Sequence, residues 1–176
     1  MKLARRELVA IGGGLAAALC LPGRLRAMPV ETIEMQGTAR GERIWFEPRG
    51  LHVRPGTVLR FVNRDAGNSH TATAYHPDLY GRQLRIPRGA TPWDSDFLLP
   101  GEAFEVALPV VGVYDYYCIP HEMAGMVGRI VVGDPGDPDW TGPAPVSDDL
   151  EPETFAALPD VEDILASGRV GREGRS

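Results

Sequence analysis

The sequence predicts an all-β domain, a sandwich or small barrel, over residues 28–133. Three observations carry that prediction. Apolar and polar residues alternate with period two through several short segments, and β-branched residues are concentrated in them. Glycine or proline interrupts the pattern roughly every eight to twelve residues. No convincing helical period precedes residue 150.

The elements follow in order. "VETIEMQG" (30–37) alternates, and "RIWFEPRGLHVRPG" (43–56) bends at Pro48, Gly50 and Pro55-Gly56. "TVLRFVN" (57–63) sets Leu59 and Phe61 on one face and Arg60 on the other. "TATAY" (71–75) is a short candidate strand. "AFEVALP" (103–109) turns Phe104, Val106 and Leu108 inward. "GVYDYYC" (112–118) puts Tyr114, Tyr116 and Cys118 on one face and Asp115 and Tyr117 on the other; "MVGRIVVG" (126–133) closes the set. Trp45, Phe46, Tyr114 and Tyr116 read as core. His52 reads as a strand-surface residue and His76, in "YHPD", as part of a turn. Residues 76–96 form the longest irregular segment, read as a lid, a partner surface or a packed surface loop.

After Gly133 the composition shifts. "DPGDPDWTGPAPVSDD" has the proline, glycine and aspartate content of a linker. "LPDVEDILASGRV" (158–170) reads as a short helix, with Pro159 at its first position and Gly168 past its last turn. Asp160 and Glu162 suit the positive end of its dipole. Val161, Ile164 and Leu165 form one apolar stripe. Docking on the β domain, docking on a partner and a frayed tail all remain open for it.

Residues 1–27 read as an export signal, with Lys2, Arg5 and Arg6 ahead of the apolar run "LVAIGGGLAAALCL" and cleavage after Ala27. The run is too short for a membrane span, so no stable span is expected once the signal is removed. The adjacent arginines point to the twin-arginine route and so to a periplasmic or otherwise extracytoplasmic protein. Cys20 lies inside this segment, behind Leu19 rather than a small residue, and is removed with it. Cys118 is then left without an intramolecular disulfide partner in an oxidising compartment.

The charge is localised. Residues 28–133 carry 10 basic and 12 acidic residues, whereas 134–176 carry three arginines against 11 acids. The acidity belongs to a C-terminal extension. Nothing resembles a nucleic-acid footprint.

The chemistry is concentrated in "CIPHEMAGM". A thiolate is a soft ligand, and imidazole suits copper, zinc or iron. Cys118 ends a strand and His121 follows across Pro120; Met126 opens the next strand. The second imidazole is His70, in a loop just past "TVLRFVN", since ends of different strands meet at one pole of a sandwich. Two imidazoles, a thiolate and a weak axial thioether define a type 1 copper electron-transfer site. Zinc is compatible with these ligands, but the methionine position favours copper.

Residues 45–133 resemble the cupredoxins, in particular the plastocyanin, pseudoazurin and halocyanin branch. The resemblance rests on C-x2-H-x4-M (Cys118, His121, Met126) between "GVYDYY" and "VGRIVV", and on "FVNRDAGNSH" upstream. It implies an eight-stranded Greek-key β-sandwich, here with an acidic extension carrying a short helix, and one copper ion. It implies that electrons pass mainly at the edge of His121, inside an apolar rim to which Pro120, Met123 and Ala124 contribute. Tyr117 is expected as exposed packing; in relatives that position lies on a second surface route to the metal. Many relatives have asparagine after the first ligand histidine, helping to tie the two ligand loops together; this chain has Thr71.

The expected function is therefore an exported one-electron carrier serving redox proteins such as a cytochrome or a copper or haem oxidoreductase. The alternative is a copper-binding module for trafficking or storage. Multicopper oxidase chemistry is excluded because the chain has four histidines, too few for a trinuclear centre. An acidic tail could steer a basic partner or serve solubility.

Overall fold

The structure, a computed structural model, describes residues 28–172. The expected export signal, residues 1–27, lies outside them. Two sheets face each other. The first has the order β2 (Ile44–Glu47), β1 (Val30–Gly37), β4 (Thr57–Asn63), β6 (Ala103–Leu108). The second runs β5 (Thr73–Ala74), β7 (Gly112–Tyr117), β8 (Val127–Val132), β3 (Gly50–Val53), β9 (Arg169–Val170). β1 pairs parallel with β4 and β3 parallel with β8, while β4–β6 and β7–β8 are antiparallel. From β2 to β7 successive strands cross between the sheets, giving the sandwich the sequence predicts.

Alternation explains the core. Ile33, Met35, Phe46, Leu59 and Phe61 from the first sheet meet Leu51, Tyr114, Tyr116 and Ile130 from the second. Phe46, Phe61 and Tyr116 pack edge to face, with centroids 4.7–6.3 Å apart, a geometry aromatic quadrupoles favour. On β6 burial alternates, with Phe104, Val106 and Leu108 turned inward as expected. The "RIWFEPRGLHV" segment splits at Pro48 into β2 and β3.

Residues 134–172 do not hang free. They run back along the outer face of the second sheet. Val113 N–H donates to the Thr141 carbonyl at 2.9 Å. Two short helices follow, α1 (Pro152–Ala156) and α2 (Val161–Ser167). The sequence did not anticipate α1. The anticipated helix starts later than expected, since Asp160 rather than Pro159 flanks it and its first residue is Val161. Gly168, with φ 75°, ends it as expected. Ile164 is fully buried against Val113 and Val131, with Val161 and Leu165 beside it. β9 then pairs antiparallel with β3. The extension therefore docks on the β domain.

Docking corrects one expectation. Tyr117 was expected to be exposed, yet it is 2% exposed. It stacks on Tyr75 with centroids 4.4 Å apart and packs with Leu150 and Leu158 from the extension. Every residue of β7 and β8 is buried.

The covered face also holds a buried ion triad. Asp115 accepts from Arg85 Nε at 3.0 Å and from Arg129 Nε and Nη2 at 2.7 and 3.1 Å. The spare guanidinium N–H groups donate to the carbonyls of Ala144, Pro145 and Pro159. Buried charge is tolerable only when paired and hydrogen-bonded in this way, and the extension supplies those acceptors.

Residues 76–96 are a packed loop. Ile86, Ala90 and Trp93 enter the main core. Arg82 lies over the Tyr75 and Tyr117 rings.

Candidate metal centre

Two loops build the site. The first follows β7. Cys118 N–H donates to the Met126 carbonyl at 3.0 Å, extending the β7–β8 ladder by one bond. Residues Ile119–Ala124 form a 3-10 turn with Pro120 in its first turn, where the missing N–H costs nothing. Gly125, at φ 77°, reverses the chain in a conformation disfavoured for other residues. Met126 N–H then reaches back to the His121 carbonyl at 3.2 Å. The Cys118–Met126 spacing is thus one closed turn.

The second loop lies between β4 and β5. His70 exchanges both backbone bonds with Leu98, at 3.2 and 2.8 Å. The Asn63 amide pins the loop by donating to the Asn68 and Leu98 carbonyls.

Three donor atoms converge. The Nδ1 atoms of His70 and His121 are 3.1 Å apart, and Cys118 Sγ lies 3.7 and 3.4 Å from them. Bonds of about 2.0–2.1 Å to nitrogen and about 2.3 Å to sulfur set donors roughly 3–4 Å apart around one ion. The residues present therefore fit a mononuclear metal with two imidazoles and a thiolate. His70 and Cys118 are fully buried and His121 is partly exposed. Met126 is fully buried in the same core cluster as Cys118. His52 and His76 are engaged elsewhere: His52 Nε2 lies 2.9 Å from the Gly133 carbonyl, and the His76 carbonyl accepts from Leu79 N–H in a turn.

Electrostatics follow burial. Burial pushes the Cys118 thiol up to about 11, opposed by hydrogen bonds from the Thr71 and His121 N–H groups. Burial, then the neighbouring His70, holds His121 below the usual histidine range. A soft metal that displaces the thiol proton would therefore compete with protons at neutral pH.

Thr71 joins the two loops. Its N–H donates to Cys118 Sγ at 3.3 Å, and its hydroxyl accepts from Ile119 N–H at 2.9 Å. A hydroxyl and a backbone N–H thus tie the two ligand loops together. Around His121, Pro120, Met123 and Ala124 are exposed, Met123 at 73%. Phe97 and Leu99, which flank the backbone partner of His70, are also exposed apolar side chains and escaped the sequence reading.

Two further groups were missed. Asp65 is buried, and its Oδ2 lies 3.0 Å from His70 Nε2. Burial alone would push its carboxyl up. Hydrogen bonds from Asn68, Gly67 and His70 outweigh this and hold it below the ordinary aspartate value. The signal was the density of Asn and Asp in "NRDAGN", residues that bond their own nearby backbone. Glu122, next to His121, accepts two bonds from Arg82, at 2.9 and 2.7 Å, and one from the Tyr75 hydroxyl at 2.7 Å. Arg82 Nε also meets Asp149 of the extension at 3.1 Å, and the Thr154 hydroxyl donates to the Glu122 carbonyl at 3.3 Å. Loop 76–96, the extension and the ligand turn are therefore bonded together through Glu122.

A two-sheet sandwich with a buried Cys and two His at one pole defines the blue-copper class of protein. The pattern of the copper-binding proteins of the plastocyanin/azurin family matches residues 33–133, and the chain belongs to that family. Copper is its cofactor. It is 34% identical over 136 residues to the chloroplastic plastocyanin of Chlamydomonas reinhardtii, covering 75% of this chain and 86% of that protein. It is 27% identical over 139 residues to the pseudoazurin of Methylorubrum extorquens, covering 78% and 82%. Among solved structures it is similar to a Sinorhizobium pseudoazurin, with TM-score 0.57 and 28% identity over 80% of this chain and 99% of that one. Among the described residues, no helix is long and apolar enough to cross a membrane.

Proposed function

We propose that the protein is an exported one-electron carrier in which His70, Cys118, His121 and Met126 would hold copper. The observation that carries this reading is the convergence of two imidazole Nδ1 atoms and a buried sulfur within 3.7 Å. Copper, when bound, supplies a Cu(II)/Cu(I) couple that a mixed set of soft and intermediate donors serves in both states. The chain's part is rigidity. His70 is fixed by its backbone exchange with Leu98, Cys118 by the β7–β8 ladder, and Thr71 binds the two loops to each other. Donors fixed in this way rearrange little when an electron arrives.

His121 is the one of the three that reaches solvent, between exposed Pro120, Met123 and Ala124. An apolar rim around a partly exposed imidazole suits brief docking of a redox protein such as a cytochrome, with the electron crossing at the imidazole edge. The buried Tyr117 offers no such port. Export to the periplasm is supported by the signal-like residues 1–27.

The test is the visible spectrum of the oxidised, copper-loaded protein. An intense thiolate-to-Cu(II) band is expected, and Cys118→Ser should abolish it; a blue band surviving that change refutes the site. Electron self-exchange without loss of metal is expected, whereas ready Cu(I) transfer to an apo-acceptor would move the reading to copper trafficking.

A further inference from the structure

We propose that Asp65 is a charged positioning residue for His70: it orients the ring from behind, keeps the proton on Nε2 so that Nδ1 presents its lone pair to copper, and biases the couple toward Cu(II). This deepens the copper-carrier reading and rests on it.

The geometry is a closed cradle. The carboxylate is 3% exposed and reaches the far nitrogen of a ligand ring that is itself 0% exposed. Oδ1 accepts from the Gly67 N–H at 2.8 Å, and Oδ2 accepts from the Asn68 amide at 2.8 Å as well as facing His70 Nε2 at 3.0 Å. The backbone beneath it is held too: Asp65 N–H donates to Asn63 Oδ1 at 2.9 Å. Gly37 roofs the cradle, since a Cβ there would collide with the Asp65 carboxylate. The Gly67 N–H and the Asn68 amide both donate to the carboxylate, which therefore stands as an acceptor toward His70. An imidazole has one proton to place when neutral, and a carboxylate acceptor at Nε2 fixes it there.

The charge has a consequence that orientation alone would not. A neutral acceptor at this point would set the same tautomer. A buried anion bonded to a ligand ring in addition stabilises the more positive oxidation state of the ion on the other side of that ring. Two other carboxylates, Glu102 and Glu122, spend their charge on the Leu99 N–H and on Arg82.

The test compares three copper-loaded proteins: wild type, Asp65→Asn, and Glu105→Gln as a control for removing an exposed carboxylate. Asparagine keeps the shape and an oxygen for the Nε2 proton but removes the charge. We expect Asp65→Asn to keep the blue band and to shift the Cu(II)/Cu(I) equilibrium toward Cu(I) by about tenfold, about 59 mV upward for one electron. Glu105→Gln should move it less than twofold. An Asp65→Asn protein that stays blue with a shift no larger than the control overturns the proposal and leaves the copper site standing. A wild-type protein with no blue band would instead sink the copper-carrier reading itself. Should Asp65→Asn fail to fold, nitrogen-15 NMR of the wild-type Cu(I) form decides. A protected proton on His70 Nε2 supports the proposal; a bare or freely exchanging Nε2 overturns it.

Discussion

Two cross-strand ion pairs set the two halves of the sandwich apart. On the first sheet Arg60 and Glu105 face each other across β4 and β6, 3.2 Å apart and half exposed. On the second, Asp115 and Arg129 face each other across β7 and β8, 2.7 Å apart with side chains 0% and 7% exposed. The chemistry and the position in the ladder are alike; the cover differs. Water screens the first pair, so it contributes little. The extension roofs the second, where unpaired charge is costly. An arginine–carboxylate pair is ornament on one face and structure on the other, and only the third dimension decides which.

The largest test of that contrast is removal of residues 134–176. It would bare Tyr117, Val127 and Val131 and strip Arg85 and Arg129 of their carbonyl acceptors. Urea midpoints should fall further than for any single substitution below; a truncated chain of undiminished stability would show the cover to be dispensable. For the same reason truncation cannot isolate electrostatic steering of a partner, because it dismantles a face. Next, Asp115→Ala should cost about 3–5 kcal/mol, since it leaves two arginines buried against one another. Alkali comes third when counted per phenol. Burial raises the Tyr114 phenol from 10.0 to about 12, so its own contribution is complete below pH 10 and is lost as pH climbs toward 12, by about 2 kcal/mol, with further losses from Tyr75, Tyr116 and Tyr117, whose phenols burial also raises. Denaturation midpoints on either side of that window check it; a flat profile contradicts it. The smallest effect belongs to Glu105→Ala, expected below about 1 kcal/mol. A larger loss there would erase the distinction between the faces.

The same contrast explains what the sequence disclosed. Alternation in "TVLRFVN" and "AFEVALP" marks strands with one wet face; the structure keeps it along β6 and as far as Phe61 on β4, whose last two residues are buried. Alternation in "GVYDYY" also marks a strand, but there the outward residues Asp115 and Tyr117 are buried. Period two reports which side a residue faces and says nothing of what later segments lay upon that side. The ligand turn was legible because Cys118, His121 and Met126 are close in the chain and chemically rare together. Asp65, Arg82 and Glu122 were not, since each is a common charged residue: Arg82 and Glu122 matter through partners distant in the chain, and Asp65 through the ring of His70, whose orientation the sequence does not display. Asp149 and Glu122, 27 positions apart, share Arg82 only after the extension has folded back.

The second sheet ends on both flanks in a strand of two residues, β5 and β9. Open flanks are where one chain can add itself to another in register, and two residues give such an intruder almost nothing to grip. The extension, by furnishing β9, therefore also blunts a seam at which crowded copies would otherwise knit together, a useful property for a carrier whose task is to touch other proteins and let go.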